Sequence, residues 1–182
     1  MKSFLYSLWE IFEVVLVAVI AVFIIRNFIL QPFLVSGASM EPSFSSGDYL
    51  VVDEMTYDFR VPQRGEVIVF HYPDDESVYY IKRIVGLPGE TLKITGGEIT
   101  VFNSEHSNGF ILDENYLPLG LKTSGQEEVI LKSNEYFVLG DNRNYSFDSR
   151  SWGNLTKKEI VGLVRLRLWP FNKVMAVGKP AY

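Results

Sequence analysis

The chain is 182 residues long, 47% hydrophobic and 21% charged, with a net charge of −5 and a sequence pI of about 5.1. That length allows one domain with a small appendage, and the composition excludes a disordered chain and argues against a nucleic-acid binder, which would show a basic face. The absence of cysteine removes disulfides and thiolate metal sites.

Residues 4–30 are dominated by Leu, Val, Ile, Phe and Ala. The centre, residues 14–25, is apolar on every helical face, which demands burial in protein or lipid. The uncharged run is only about 12 residues against the roughly 20 of a full span. Glu10, Glu13 and Arg26 bracket it, and their long side chains can snorkel to headgroups. A cleaved signal peptide is the competing reading, with Ala18-Val19-Ile20-Ala21 as its cleavage site. Against it, the only early cation is Lys2, and the apolar run continues past Ala21. A retained membrane anchor over residues 1–31 is the expectation; the charge bias is too weak to orient it.

Pro32 ends the helix, because it lacks an N–H and forces Gln31 out of helical geometry. Residues 49–52, 66–72, 78–85, 92–94, 99–102, 135–139 and 161–169 are rich in β-branched and aromatic residues and predict strands. Gly96-Gly97 predicts a hairpin turn, and residues 156–159 a short helical turn. The expected fold is mainly β: an antiparallel catalytic core over residues 32–94 and 131–182, with a turn-rich insertion over residues 95–130.

Two residues are the candidates for chemistry. Ser39 follows the anchor in Ser36-Gly37-Ala38-Ser39-Met40-Glu41-Pro42. A serine hydroxyl is a poor nucleophile and needs a base. Lys82 lies in the apolar run Val78-Tyr79-Tyr80-Ile81-Lys82-Arg83-Ile84-Val85. A free lysine has a pKa of roughly 10.4, so fewer than about one in a thousand is neutral at pH 7. Bringing it near 8 takes roughly 3 kcal/mol, which burial among apolar side chains supplies. Strand alternation sends Lys82 and Arg83 to opposite faces, leaving Arg83 to pair with an acid such as Asp141. Asp148 and Arg150 are spaced for a salt bridge that braces their loop. The bland alternatives are turn serines and a surface Lys-Arg pair. His71 and His106 lack ligand spacing, so no metal site is expected. Residues 74–76 predict a solvated hairpin tip. Phe28, Ile29, Leu30, Phe33 and Leu34, with Trp169-Pro170-Phe171, predict core packing or contact with a membrane surface.

Three segments together resemble the signature boxes of bacterial type I signal peptidases: Gly37-Ala38-Ser39-Met40-Glu41-Pro42-Ser43-Phe44, Lys82-Arg83-Ile84-Val85-Gly86-Leu87-Pro88-Gly89-Glu90, and residues 136–150 around Gly140-Asp141-Asn142-Arg143. The resemblance implies a cofactor-free, single-pass serine endopeptidase of the cytoplasmic membrane, its catalytic domain on the extracytoplasmic side. Its partners would be signal-peptide-bearing preproteins, the lipid bilayer and the secretion machinery, and no nucleic acid. It implies Ser39 as nucleophile, Lys82 as base and Ser146 as the hydroxyl that orients the amine. Some relatives carry a serine two positions before the nucleophile as an oxyanion donor; Gly37 stands there, leaving its backbone or Ser36 for that task. Ser43 departs from the usual threonine or alanine. The preference for small side chains one and three residues before the cut implies shallow apolar pockets near Ser39. Two other readings stay open: a self-cleaving Ser-Lys protease, and a non-catalytic membrane-tethered β domain that would not bring Ser39, Lys82 and Ser146 together.

Overall fold

The structure, a computed structural model, describes residues 2–28 and 30–180, with the side chains of residue 6, residues 9–22 and those from 31 onward. Helix α1 runs over Lys2–Phe28. No proline or glycine interrupts it, and every side chain described in it is exposed. Those from 9 to 22 cover about 20 Å of helix at 1.5 Å per residue. Among the described residues no helix is long and apolar enough to cross a membrane.

The remainder is built from strands β1 (Leu30–Leu34), β2 (Tyr49–Asp53), β3 (Val67–Tyr72), β4 (Asp75–Gly86), β5 (Thr91–Thr95), β6 (Glu98–Phe102), β7 (Phe110–Ile111), β8 (Glu127–Ile130), β9 (Glu135–Leu139), β10 (Leu155–Thr156), β11 (Ile160–Trp169) and β12 (Met175–Ala176). Two one-turn helices, α2 (Thr56–Phe59) and α3 (Ser149–Trp152), interrupt them. The larger sheet has the order β1-β2-β11-β3-β4-β9-β10, with β12 on β11. The smaller has the order β7-β6-β5-β8. All pairings are antiparallel.

Alternation along β3 explains the core. Val67 and Val69 join Val35, Met40, Phe44, Leu50, Val52 and Val164. Ile68 and Phe70 point the other way, to Tyr57, Ile84, Tyr136, Val138, Leu155 and Leu163. A strand buried on both faces reads as a continuous apolar run. A third cluster welds the sheets together, with Val85, Phe137 and Leu139 against Leu92, Ile94, Ile99 and Val101. Each such side chain contributes about 1.5–3 kcal/mol through burial.

All seven predicted strands form. Gly96 and Gly97 make the two-residue turn between β5 and β6, both at positive φ (65° and 92°), as that turn demands. Residues 157–159 form a single 3-10 turn, its start held by Thr156 N–H donating to Glu159. Residues 74–76 are exposed at the β3–β4 turn. The smaller sheet begins at Thr91, so the sequence boundary at residue 95 falls at the end of β5.

Unforeseen elements are short and lie at edges. Helix α1 stops at Phe28, and Pro32, expected to terminate it, sits instead within β1. Among the described residues the strand pairs only with β2, and an edge strand is where a residue without an N–H is tolerated. Phe28, Ile29 and Leu30, expected near the anchor as packing groups, have side chains outside the described residues.

Candidate active site

Ser39 lies in the turn-rich connection between β1 and β2. Gly37 turns the chain with φ of 98°, a left-handed conformation that glycine adopts without strain. Downstream, Met40 and Phe44 bury themselves in the core, and Phe44 N–H bonds the Met40 carbonyl at 2.9 Å. The Ser39 turn is thus fastened on its downstream side by apolar packing.

Lys82 comes from β4 and is only 3% exposed. Its Nζ donates to Ser39 Oγ at 2.8 Å and to the Ile81 carbonyl at 2.9 Å. The face of Tyr80 lies 5.2 Å from the amine. Burial holds the Lys82 pKa well below its ordinary value of 10.5, at about 8, although the Asp148 and Asp141 carboxylates pull it upward. Adjacent Arg83 diverges to the Asp141 carboxylate, with Nε to Oδ1 at 2.9 Å and Nη2 to Oδ2 at 2.6 Å. This is the separation strand alternation predicts, with the partner expected from sequence.

The loop after β9 closes the site. Asn142 N–H donates to the Ser39 carbonyl, and its Nδ2 to the Ala38 carbonyl, each at 3.0 Å. Asp148 accepts the Gly140 N–H at 3.1 Å and caps α3. Arg150 embraces it, with Nε to Oδ1 and Nη2 to Oδ2 both at 2.8 Å. The expected brace between Asp148 and Arg150 therefore forms. A Cβ on Gly140 would stand 2.3 Å from the Ser39 carbonyl oxygen and 2.2 Å from Ser146 Oγ, so only glycine lets this loop approach so closely.

Ser146 behaves differently from its expected role. Its Oγ is buried beside Gly140 with no hydrogen-bond partner among the described residues. The lysine amine directs its second bond to the Ile81 carbonyl of its own strand instead. Gly37 exposes its backbone toward open space, with no atom within 4 Å of where a Cβ would stand. Gly37, Ser36 and Ser39 share a cavity of about 310 Å³ whose apolar wall includes Phe33, Val35, Leu50, Val69 and Ile81.

Sequence reasoning missed the buried web behind the loop. Arg143, named from sequence only as part of the third signature box, is 1% exposed and bonds Glu114, Thr123, Tyr116 and the Gly140 carbonyl. Burial is the largest single influence and opposes its charge, but the hydrogen bonds to Glu114 together with the electrostatic attraction of Tyr116, Glu114 and Asp141 overcome it and raise its pKa above the ordinary guanidinium value. Its side-chain partners stand 20 to 29 residues upstream in a polar stretch, where no local spacing announces them. Among the described residues no group of three or more His, Cys, Asp or Glu could hold a metal ion. His71 contacts the Glu76 carbonyl, and His106 meets Phe110 edge to face.

Residues 8–169 match the family model described as signal peptidase, peptidase S26. A signal peptidase I of Leptolyngbya laminosa is 36% identical over 164 residues, which cover 86% of this chain and 77% of that protein. A signal peptidase IB of Staphylococcus aureus is 30% identical over 168 residues, 86% of this chain and 87% of its own. The crystal structure of a signal peptidase I from Enterococcus faecalis aligns with 57% of this chain and 97% of its own, at 28% identity and a TM-score of 0.48.

Proposed function

Because the chain belongs to the signal peptidase family, peptidase S26, we propose that it cleaves signal peptides from exported preproteins with Ser39 as nucleophile and Lys82 as general base. The observation that carries this reading is the 2.8 Å contact between Lys82 Nζ and Ser39 Oγ, made by a buried amine. A non-catalytic β domain gives no reason for that convergence.

In its neutral form the Lys82 amine accepts the Ser39 proton as Oγ attacks the scissile carbonyl carbon. The resulting ammonium gives that proton to the departing amine nitrogen, the C–N bond breaks, and an ester remains on Ser39. Water, deprotonated by the same amine, attacks the ester and frees the serine. The Ser39 N–H is the natural first donor to the oxyanion. The Gly37 N–H or the Ser36 hydroxyl is the second. Ser146, whose buried Oγ has no hydrogen-bond partner among the described residues, serves as the orienting hydroxyl of the amine, in the part aspartate plays for histidine. Asp148 with Arg150 keeps the loop that carries it in place. The cavity wall of Phe33, Val35 and Ile81 receives small side chains one and three residues before the cut.

The family is membrane-associated, and α1 serves as a single-pass anchor that holds the catalytic domain outside the cytoplasmic membrane. In support, Leu34, Tyr49 and Trp169 align across β1, β2 and β11, and these three and Phe171 are exposed. Aromatic side chains of this kind favour the bilayer interface. Residues 32–94 and 131–182 form the catalytic core and residues 95–130 the insertion.

Processing of a preprotein by wild type and Ser39→Ala tests the reading. The variant is expected to lose activity by at least about 10³-fold. Processing that survives the change overturns it.

A further inference from the structure

The stretch between β7 and β8 contains no strand or helix, yet it grips the loop that closes the active site. Glu114 takes both terminal nitrogens of Arg143, Nη1 at 2.9 Å and Nη2 at 2.5 Å. Tyr116 OH accepts from Nη2 at 3.0 Å and donates to Glu114 Oε1 at 2.8 Å. Thr123 Oγ1 accepts from Nη1 at 2.5 Å, and the Gly140 carbonyl accepts from Nε at 3.0 Å. A guanidinium has five N–H donors in a fixed plane, and each of the five is directed here. One more strap runs parallel: Arg150 bonds both Ser124 Oγ and the Arg143 carbonyl.

A buried cation so fully engaged defines the path of the main chain around it. That main chain is residues 140–143, where Gly140 packs against the Ser39 carbonyl and Asn142 bonds it. The chain of contact from Glu114 to the nucleophile thus passes through one side chain and one turn. Near-attack geometry tolerates little displacement, since about 1 Å of misplacement can cost 10²-fold in rate.

We infer that Glu114 is a positioning residue of the active site, acting through Arg143 to hold the 140–143 turn against Ser39. The inference rests on the reading of Ser39 and Lys82 as the reacting pair. It makes the insertion part of the catalytic apparatus, although none of its residues touches the cut bond.

Glu114→Gln keeps the size of the side chain but turns an amide N–H toward the guanidinium. With a signal-peptide-derived substrate, kcat is expected to fall about 10-fold or more while KM stays within about twofold. Ile99→Val, which removes a buried methylene from the smaller sheet, is the comparator. At temperatures well below both thermal midpoints it is expected to leave kcat within about twofold. An unchanged kcat in Glu114→Gln, or an equal fall in Ile99→Val at the same loss of thermal midpoint, overturns the inference. If Glu114→Gln does not fold, Tyr116→Phe loosens the same guanidinium with the carboxylate kept, and an unchanged kcat there overturns it equally. Ser39→Ala run alongside separates the two failures, because cleavage that persists in it sinks the Ser-Lys reading itself.

Discussion

Lys82→Met is expected to abolish cleavage while making the folded protein more stable at neutral pH. The two effects share one cause. A lysine held at about 8 rather than 10.5 has its charged form disfavoured by about 3 kcal/mol at 1.36 kcal/mol per unit. Burial is the largest contribution, and the nearby Asp148 and Asp141 carboxylates only partly oppose it. Below pH 8 the amine is protonated in both folded and unfolded chains, so the folded state bears that cost in full. Between about 8 and 10.5 the folded chain has released its proton and the unfolded one has not, so stability rises with pH in that window. Methionine fills similar volume without charge and removes the cost at pH 7. Denaturant unfolding at pH 7 is expected to show a gain of up to about 3 kcal/mol, shrinking toward zero above pH 10. Cleavage is expected to fall by about 10³-fold or more, the typical worth of a general base and beyond. In the wild type, kcat/KM is expected to climb with pH through about 8 and then level. A variant that retains activity, or a rate flat from pH 6 to 9, would remove the lysine from the mechanism.

Asp141→Ala carries the largest expected loss of stability. Asp141 is fully buried and receives two bonds from Arg83, itself 4% exposed. Breaking a buried pair from one side leaves an uncompensated charge and costs about 3–5 kcal/mol. Replacing both partners by apolar residues removes the stranded charge, so Arg83→Met with Asp141→Leu is expected to recover much of the loss. Urea unfolding of the single and double variants measures both. A single-variant loss below about 1 kcal/mol would show that solvent or a rearranged neighbour satisfies the guanidinium. Activity is expected to fall with the pair, because Arg83 and Lys82 are consecutive and Asp141 precedes the asparagine that clamps Ser39.

The long strands were legible because burial on both faces, as in β3, writes an unbroken apolar run into the chain. The Ser39 and Lys82 boxes were legible because, with the third box, they resemble in order and spacing the signature segments of a known family; the apolar run around Lys82 added a physical reason for a buried base. Arg83 with Asp141 and Asp148 with Arg150 followed from alternation and spacing. The edge strands β1, β7 and β8 were not, since one carries a proline, one has two residues and one begins with two glutamates. The Glu114–Arg143 web was illegible for a different reason. Its partners are ordinary polar residues whose burial is created by the meeting of the sheets. The position of Ser146 depends on close packing against Gly140, which sequence spacing does not encode.

The pairing of β5 with β8 has a consequence for how this chain can be rebuilt. Thr91 lies opposite Ile130, so the polypeptide leaves the larger sheet and returns to it through one doorway. What lies beyond that doorway is tied to the core a second time, by Glu114 and Thr123 on Arg143, but an exposed turn there remains free to lengthen. Lengthening it costs only about 0.6 kcal/mol per doubling of loop length. A reporter domain grafted into the exposed β6–β7 turn at residues 104–108 would ride on the enzyme without loosening Ser39, whereas the Gly96-Gly97 turn is tied to the strap, the Gly97 carbonyl accepting from the Thr123 N–H at 3.0 Å. The same graft at residues 113–123 would cut the strap that holds Ser39.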